Sequence, residues 1–219
     1  MKKTTKKPWP TKAVMKQIYE QHLWGGNDSD FYSGEGSHDS AIIKPYVEAV
    51  RDFLKSNNKK LRVCDLGCGD FNVGKELVPY AQLYFAVDIV EDLIERNRNL
   101  FKENNLEFFN LDISKDDIPM ADCLILRQVL QHLSNAEIQK IVNKLHNYKY
   151  VILTEHLPLG DFIPNKDKIT SQGIRLKQGS GVDLLAEPFN LKIESKQLLA
   201  ETVLKQPESK IVTLLFTMF

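Results

Sequence analysis

The chain has 219 residues, 42% of them hydrophobic, and Lys+Arg and Asp+Glu each number 29, so the formal net charge is zero. That length bounds it at one α/β domain with at most a small cap. The balanced charge argues against nucleic acid as the main partner, and no run approaches the ~18 apolar residues of a membrane-spanning helix. Cys64, Cys68 and Cys123 form an odd set without a secretion signal, which points to a reducing cytoplasmic setting. Without a second cysteine pair or clustered histidines, no metal site is expected.

In chain order, the lysines 2, 3, 6, 7, 12 and 16 form a basic arm with no apolar signal core behind them, so it reads as solvated. Residues 11–23 have helical spacing, with Val14, Ile18 and Leu23 on one side. A long loop, 24–40, reads WGGNDSDFYSGEGSHDS and is rich in glycine and aromatics. Loops of this length in a compact domain are usually functional or disordered. A second helix is expected over 41–56, then strands at 61–66, 82–88, 106–111, 121–126 and 149–154. Between them lie a short helix at 72–79 and longer ones at 91–104 and 135–146, the last capped by Ser134 or Asn135. Two β-like runs, 191–200 and 210–219, follow without a helix between them and form a hairpin. The predicted fold is α/β: a doubly wound, mostly parallel seven-stranded sheet whose last strand is antiparallel. Residues 1–40 read as an arm, a helix and a glycine-rich lid. Residues 41–219 read as the main domain, with a cap insertion near 156–190.

The chemistry concentrates at LRVCDLGCG, residues 61–69. An apolar strand ends in Asp65, a Gly67-Cys68-Gly69 turn follows, and a second apolar strand ends in Asp88. In an α/β sheet, this arrangement builds a nucleoside crevice at the carboxyl ends of the strands. Asp88 is placed to accept both hydroxyls of a ribose. A dinucleotide fingerprint needs a third glycine, but Asn72 stands in its place and Gly74 falls two residues late. Asp65 and Asp70 flank the turn, which disfavours a pyrophosphate and favours a ligand carrying an ammonium group.

These residues resemble motif I of class I methyltransferases, with Asp88 at the ribose-binding acid of motif II; the resemblance spans about residues 40–219. It implies a Rossmann-like fold and S-adenosyl-L-methionine as cofactor. The implied cofactor residues are Asp65, Gly67, Cys68, Gly69, Asp88, Ile89, Asp112 and Ile113, with Asp112 meeting the adenine amino group and Ile89 packing on the ring. After strand four, Arg127-Gln128-Val129-Leu130-Gln131-His132-Leu133 resembles the run that packs over the cofactor in this family, placing Arg127 and Gln128 near the methionine or the acceptor. His132 there reads as a fold residue. His156, at the end of strand five, is the candidate general base, since an imidazole takes a proton near neutral pH with little tuning.

Trp24, Tyr32, Gly34 and Ser37 are expected to form a lid, and Arg175 to pair with an anionic acceptor group. The 24–37 segment, with Gly173-Ile174-Arg175, 180–184 and 188–191, is similar to a small bacterial methyltransferase subgroup associated with surface-polysaccharide gene clusters. The function implied is O-methylation of a small polar acceptor, sugar-like or phosphorylated, in capsule or surface-polysaccharide modification. Two other readings stand beside it: a nicotinamide-dependent oxidoreductase on a similar sheet, and a non-catalytic cofactor-binding partner of another methyltransferase.

Overall fold

Strand β1 (Arg62–Leu66) lies inside a seven-stranded sheet, and its apolar residues are closed off from solvent on both faces. The computed structural model describes residues 8–27 and 30–219; the basic arm at lysines 2, 3, 6 and 7 falls outside the described residues. The elements are α1 (Thr11–Glu20), α2 (Ser40–Ser56), β1, β2 (Leu83–Asp88), α3 (Glu91–Leu100), β3 (Leu106–Asn110), β4 (Cys123–Arg127), α4 (Asn135–Leu145), β5 (Tyr150–Pro158), β6 (Ser195–Lys205) and β7 (Glu208–Thr217). Strand order is β3-β2-β1-β4-β5-β7-β6. Strands β1 to β5 pair in parallel, while β7 runs antiparallel to β5 and β6. The expected fold class is therefore observed.

Alternate residues of the central strands supply two cores. Leu124, Leu126, Val151 and Leu153 face α1 and α4, whereas Cys123, Ile125 and Ile152 face α2. Each fully buried aliphatic side chain contributes about 1.5–3 kcal/mol, so strands sealed on both faces dominate the stability of the sheet. From β1 the chain winds outward through β2 to β3, then returns to β4 on the other side of β1. The reversal between β1 and β4 leaves a crevice at their carboxyl ends.

Several boundaries differ from the sequence reading. Helix α1 stops at Glu20, because His22 adopts a left-handed φ of 48° before the glycine pair. The helix expected at 72–79 is two 3-10 turns, Gly74–Glu76 and Val78–Tyr80, with Pro79 supplying no amide to continue an α-helix. Helix α3 ends at Leu100 rather than 104, because Phe101 turns extended and packs its ring against Phe71 at 5.2 Å. Strand β5 runs on to Pro158, because β7 pairs with it as far as Ser209.

Helix α4 opens with a capping box of Ser134 and Glu137. The Glu137 carboxylate also accepts the hydroxyls of Thr11 on α1 and Thr170 on the β5–β6 connection. One carboxylate thus joins three segments. Among the described residues no helix is long and apolar enough to cross a membrane.

Candidate active site

A cavity of about 550 Å³ opens at the carboxyl ends of β1, β2, β4 and β5. Its floor is the glycine turn. Gly67 (φ 77°) and Gly69 (φ 57°) are left-handed, which glycine adopts without steric cost. A Cβ on Gly67 would fall 2.5 Å from Val129 Cγ2, and one on Gly69 would fall 2.4 Å from Ser33 Oγ. The N–H groups of Gly67 and Cys68 donate to the Val87 carbonyl, and that of Gly69 donates to Asp88 Oδ2 at 3.1 Å. Asp88 Oδ1 accepts from Val90 N at 3.0 Å. Burial pushes this carboxyl upward, and the backbone N–H groups pull it partly back. Each oxygen keeps a lone pair for a further donor.

Asp65 and Arg127 form the second part. Asp65 accepts the Tyr84 hydroxyl at 2.9 Å, and burial raises its carboxyl to about 6 against the pull of Tyr84 and Arg127. The Arg127 guanidinium lies 4.9 Å from the Tyr46 ring and donates to Gly36 O and to Ser37 Oγ (3.2 Å for the latter). Burial lowers the basicity of Arg127, and its Nε has no partner among the described residues. Arg127 thereby fixes the lid segment to the tip of β4. Gln128 follows at φ 57° and lines the cavity, with its amide oxygen 2.4 Å from where a Cβ on Gly36 would fall.

At the other end of the floor Ile89, Leu111, Asp112, Ile113 and Ser114 line an apolar slot. Asp112 lies beyond the end of β3. Its Oδ1 accepts Ser114 N and Oγ, and its Oδ2 meets Lys115 Nζ at 2.5 Å. Burial pushes Asp112 up, but these donors outweigh it and hold the carboxyl below its ordinary value.

The lid residues divide. Trp24 lines the cavity with its ring 5.0 Å from His132, and Gly34 and Ser37 line it as well. Tyr32 does not line it, contrary to expectation. Its hydroxyl donates to Glu35 at 2.6 Å and its ring stacks on His38 at 4.2 Å, so it braces the loop from outside. The inward residue is Ser33, which the sequence did not single out. Ser33 exchanges hydrogen bonds with Asp70, and its Oγ lies 3.0 Å from the Tyr19 hydroxyl. Asp70 also meets His38 Nε2 at 2.6 Å. The acid thought to attract an ammonium group therefore ties lid to floor. The sequence carried no signal of that pairing across 37 positions.

His156 lies within β5, not after it, and lines the cavity with Ile211, Pro207 and Gln206. Burial lowers its basicity. His132, in the 3-10 turn Leu130–His132, is buried with Nδ1 unpartnered, and burial pulls it down to about 4. Glu155 points to the opposite face from His156. It is 2% exposed, neither oxygen has a hydrogen-bond partner among the described residues, and burial raises its carboxyl to about 8.

Arg175 corrects the sequence reading outright. It is 1% exposed and lies outside the cavity lining. Its guanidinium donates to the carbonyls of Leu130, Gln131, Leu133 and Lys166 and to Asn135 Oδ1. All its donor nitrogens face these acceptors, so it clamps the β5–β6 connection to the wall after β4 and does not meet an acceptor molecule.

Residues 63–148 match the model of a family described as "Methyltransferase domain". No curated protein sequence matches the chain. Among solved structures, the N-methyltransferase NodS from Bradyrhizobium japonicum WM9, in complex with S-adenosyl-L-homocysteine, superposes with a TM-score of 0.65 at 12% identity, covering 93% of this chain and 98% of that one. Magnesium protoporphyrin IX methyltransferase from Synechocystis PCC 6803, with bound SAM, gives 0.56 at 18% identity over 96% of this chain and 99% of that one. Human N-acetylserotonin methyltransferase, in complex with SAM, gives 0.54 at 15% identity over 95% of this chain and 60% of that one. The molecule has the class I methyltransferase fold, and its segment 63–148 is similar to the methyltransferase-domain family.

Proposed function

We propose that the chain methylates an oxygen of a small polar acceptor, sugar-like or phosphorylated, using S-adenosylmethionine. The observation that carries this is one cavity holding both a nucleoside floor and, on β5, an imidazole. The residues fit the cofactor. Gly67, Gly69 and Asp88 line the cavity floor, and Arg127 Nε is a buried donor without a partner among the described residues in the same cavity. Asp88 would hold the ribose, Asp112 and Ile113 the adenine, and Asp65, Arg127 and Gln128 the methionine end. When bound, the cofactor supplies an electrophilic methyl group on sulfur.

The chain's own residues supply position. Such transfer depends mainly on proximity and alignment. His156 accepts the acceptor hydroxyl's proton, and Trp24 closes the side wall against water. The sugar-like or phosphorylated acceptor class, and with it a role in surface-polysaccharide modification, rests on the resemblance of the lid and of residues 173–191.

The test has two parts. Calorimetry should give saturable binding of S-adenosylhomocysteine and none of NAD; the reverse result would sink the proposal in favour of an oxidoreductase. Methyl-labelled S-adenosylmethionine is then offered with sugar phosphates and nucleotide sugars. Label in an alkali-stable ether supports O-methylation. Label on nitrogen rejects it, and no turnover with any acceptor favours a non-catalytic binding protein.

A further inference from the structure

We propose that Ser209 is a positioning residue that holds His156 as its Nε2–H tautomer and so turns Nδ1 toward the acceptor end of the cavity. The inference rests on the reading of His156 given above. His156 on β5 stands opposite Ile211 on β7, and Pro158 stands opposite Ser209. His156 and Ser209 are therefore diagonal neighbours on one face of an antiparallel pair, within reach of a long side chain. His156 Nε2 lies 2.8 Å from Ser209 Oγ. Ser209 is fully buried, and its hydroxyl donates to the Pro207 carbonyl at 2.8 Å.

A hydroxyl has one proton and two lone pairs. With that proton directed at Pro207, Ser209 can only accept from the imidazole, so Nε2 carries the hydrogen. The Nδ1 lone pair then has no partner among the described residues. Pro207, Gln206, Leu204 and Ile211 line the same cavity as His156, so the pair stands at the end away from the adenine slot.

The logic is that of a base oriented by a third group. Here the orienting group is a neutral hydroxyl, which fixes the ring without stabilising an imidazolium by charge. Burial keeps His156 neutral near pH 7, the state in which the tautomer matters. Ser209→Ala should therefore lower turnover only about tenfold, the worth of one neutral hydrogen bond, and leave the affinity for S-adenosylhomocysteine unchanged.

The decisive measurement uses the whole chain labelled with 15N-histidine and saturated with S-adenosylhomocysteine. Ring nitrogen shifts in the parent should give His156 a bare Nδ1 and a protonated Nε2 whose hydrogen exchanges slowly with water. Ser209→Ala should lose the slow exchange, and Ser209→Thr should restore it. A proton on Nδ1 in the parent overturns the proposal, and that reading needs no variant to fold. A protected Nε2–H unchanged in Ser209→Ala overturns it as well. The expected tautomer together with parental turnover in His156→Ala would sink the proton-acceptor reading while supporting the Ser209 pairing.

Discussion

Ser33 and Asp70 bind each other reciprocally: the Ser33 N–H donates to Asp70 Oδ2 at 2.8 Å, and the Asp70 N–H donates to Ser33 Oγ at 2.8 Å. The lid and the glycine turn are thus one hydrogen-bonded unit. Asp70→Ala removes the acceptor for Ser33 N and for His38, and amides in 30–38 should exchange with solvent at least tenfold faster than in the parent. Hydrogen exchange read by mass spectrometry checks this, and parental exchange would mean that Arg127, Asn72 and Arg96 suffice to hold the segment down.

Asp88 faces the proposed ribose while holding Gly69 N and Val90 N. Asp88→Ala loses charge-assisted bonds worth about 1.5–3 kcal/mol each, so affinity for S-adenosylhomocysteine should drop at least tenfold by calorimetry. Circular dichroism distinguishes this from unfolding. A folded variant with parental affinity removes Asp88 from the site.

Arg175 should behave as a structural residue. Arg175→Met leaves the carbonyls of Leu130, Gln131 and Leu133 without their donor. The cost should be on the order of 3 kcal/mol or more in urea unfolding. Arg175→Lys keeps the charge but not the planar fork and should recover only part of it. A stable Arg175→Met protein with weakened acceptor binding would return the residue to the acceptor site.

Glu155 and His132 give stability opposite pH dependences. Unfolded, a glutamate loses its proton near 4.3. Folded, Glu155 keeps it to about 8. Its contribution is therefore complete below about 4.3 and lost as pH rises through 8. Glu155→Gln should flatten that limb and stabilise the protein at pH 8 by a few kcal/mol. His132 has its folded value lowered to about 4, so the unfolded chain binds the proton first and stability falls as pH drops from about 6.5 toward 4. Lys168 opposes the charge on His132, and Arg175 favours that on Glu155. Melting temperatures of the parent, Glu155→Gln and His132→Ala from pH 4 to 8 provide the check, and parallel curves would show that neither group is held in its neutral form.

His156→Ala should lower turnover roughly 10²–10⁴-fold with cofactor affinity intact, whereas His132→Ala should lose stability. Equal activity in both variants would mean that transfer proceeds by alignment alone.

What the sequence revealed follows from distance along the chain. The strands, the glycine turn and the acids near the strand tips are local patterns, and each appears within a few residues of where spacing placed it. The same locality explains why Asp88 was legible and Ser33 was not. Asp88 marks the end of an apolar run, while the importance of Ser33 depends on a partner 37 positions away. Arg175 was misread because an arginine in a polar loop looks solvent-facing, and three of the carbonyls that bury it lie 42 to 45 residues upstream. His156 was placed at the right end of the sheet, but not within the strand, because β5 is lengthened by pairing with β7 and not by its own residues.

The carboxylate of Glu137 carries a further consequence, for the order in which the chain is made. Helix α1 is translated early, yet its partner for Thr11 lies 126 residues later, and Thr170 follows 33 residues after that. At about 5–20 residues per second, Glu137 is made roughly 6–25 seconds after Thr11. Met15, Ile18 and Tyr19, buried in the finished protein, wait over that interval for the part of their cover that α4 supplies, so the contact between α1 and α4 closes only after β1 to β4 have been made.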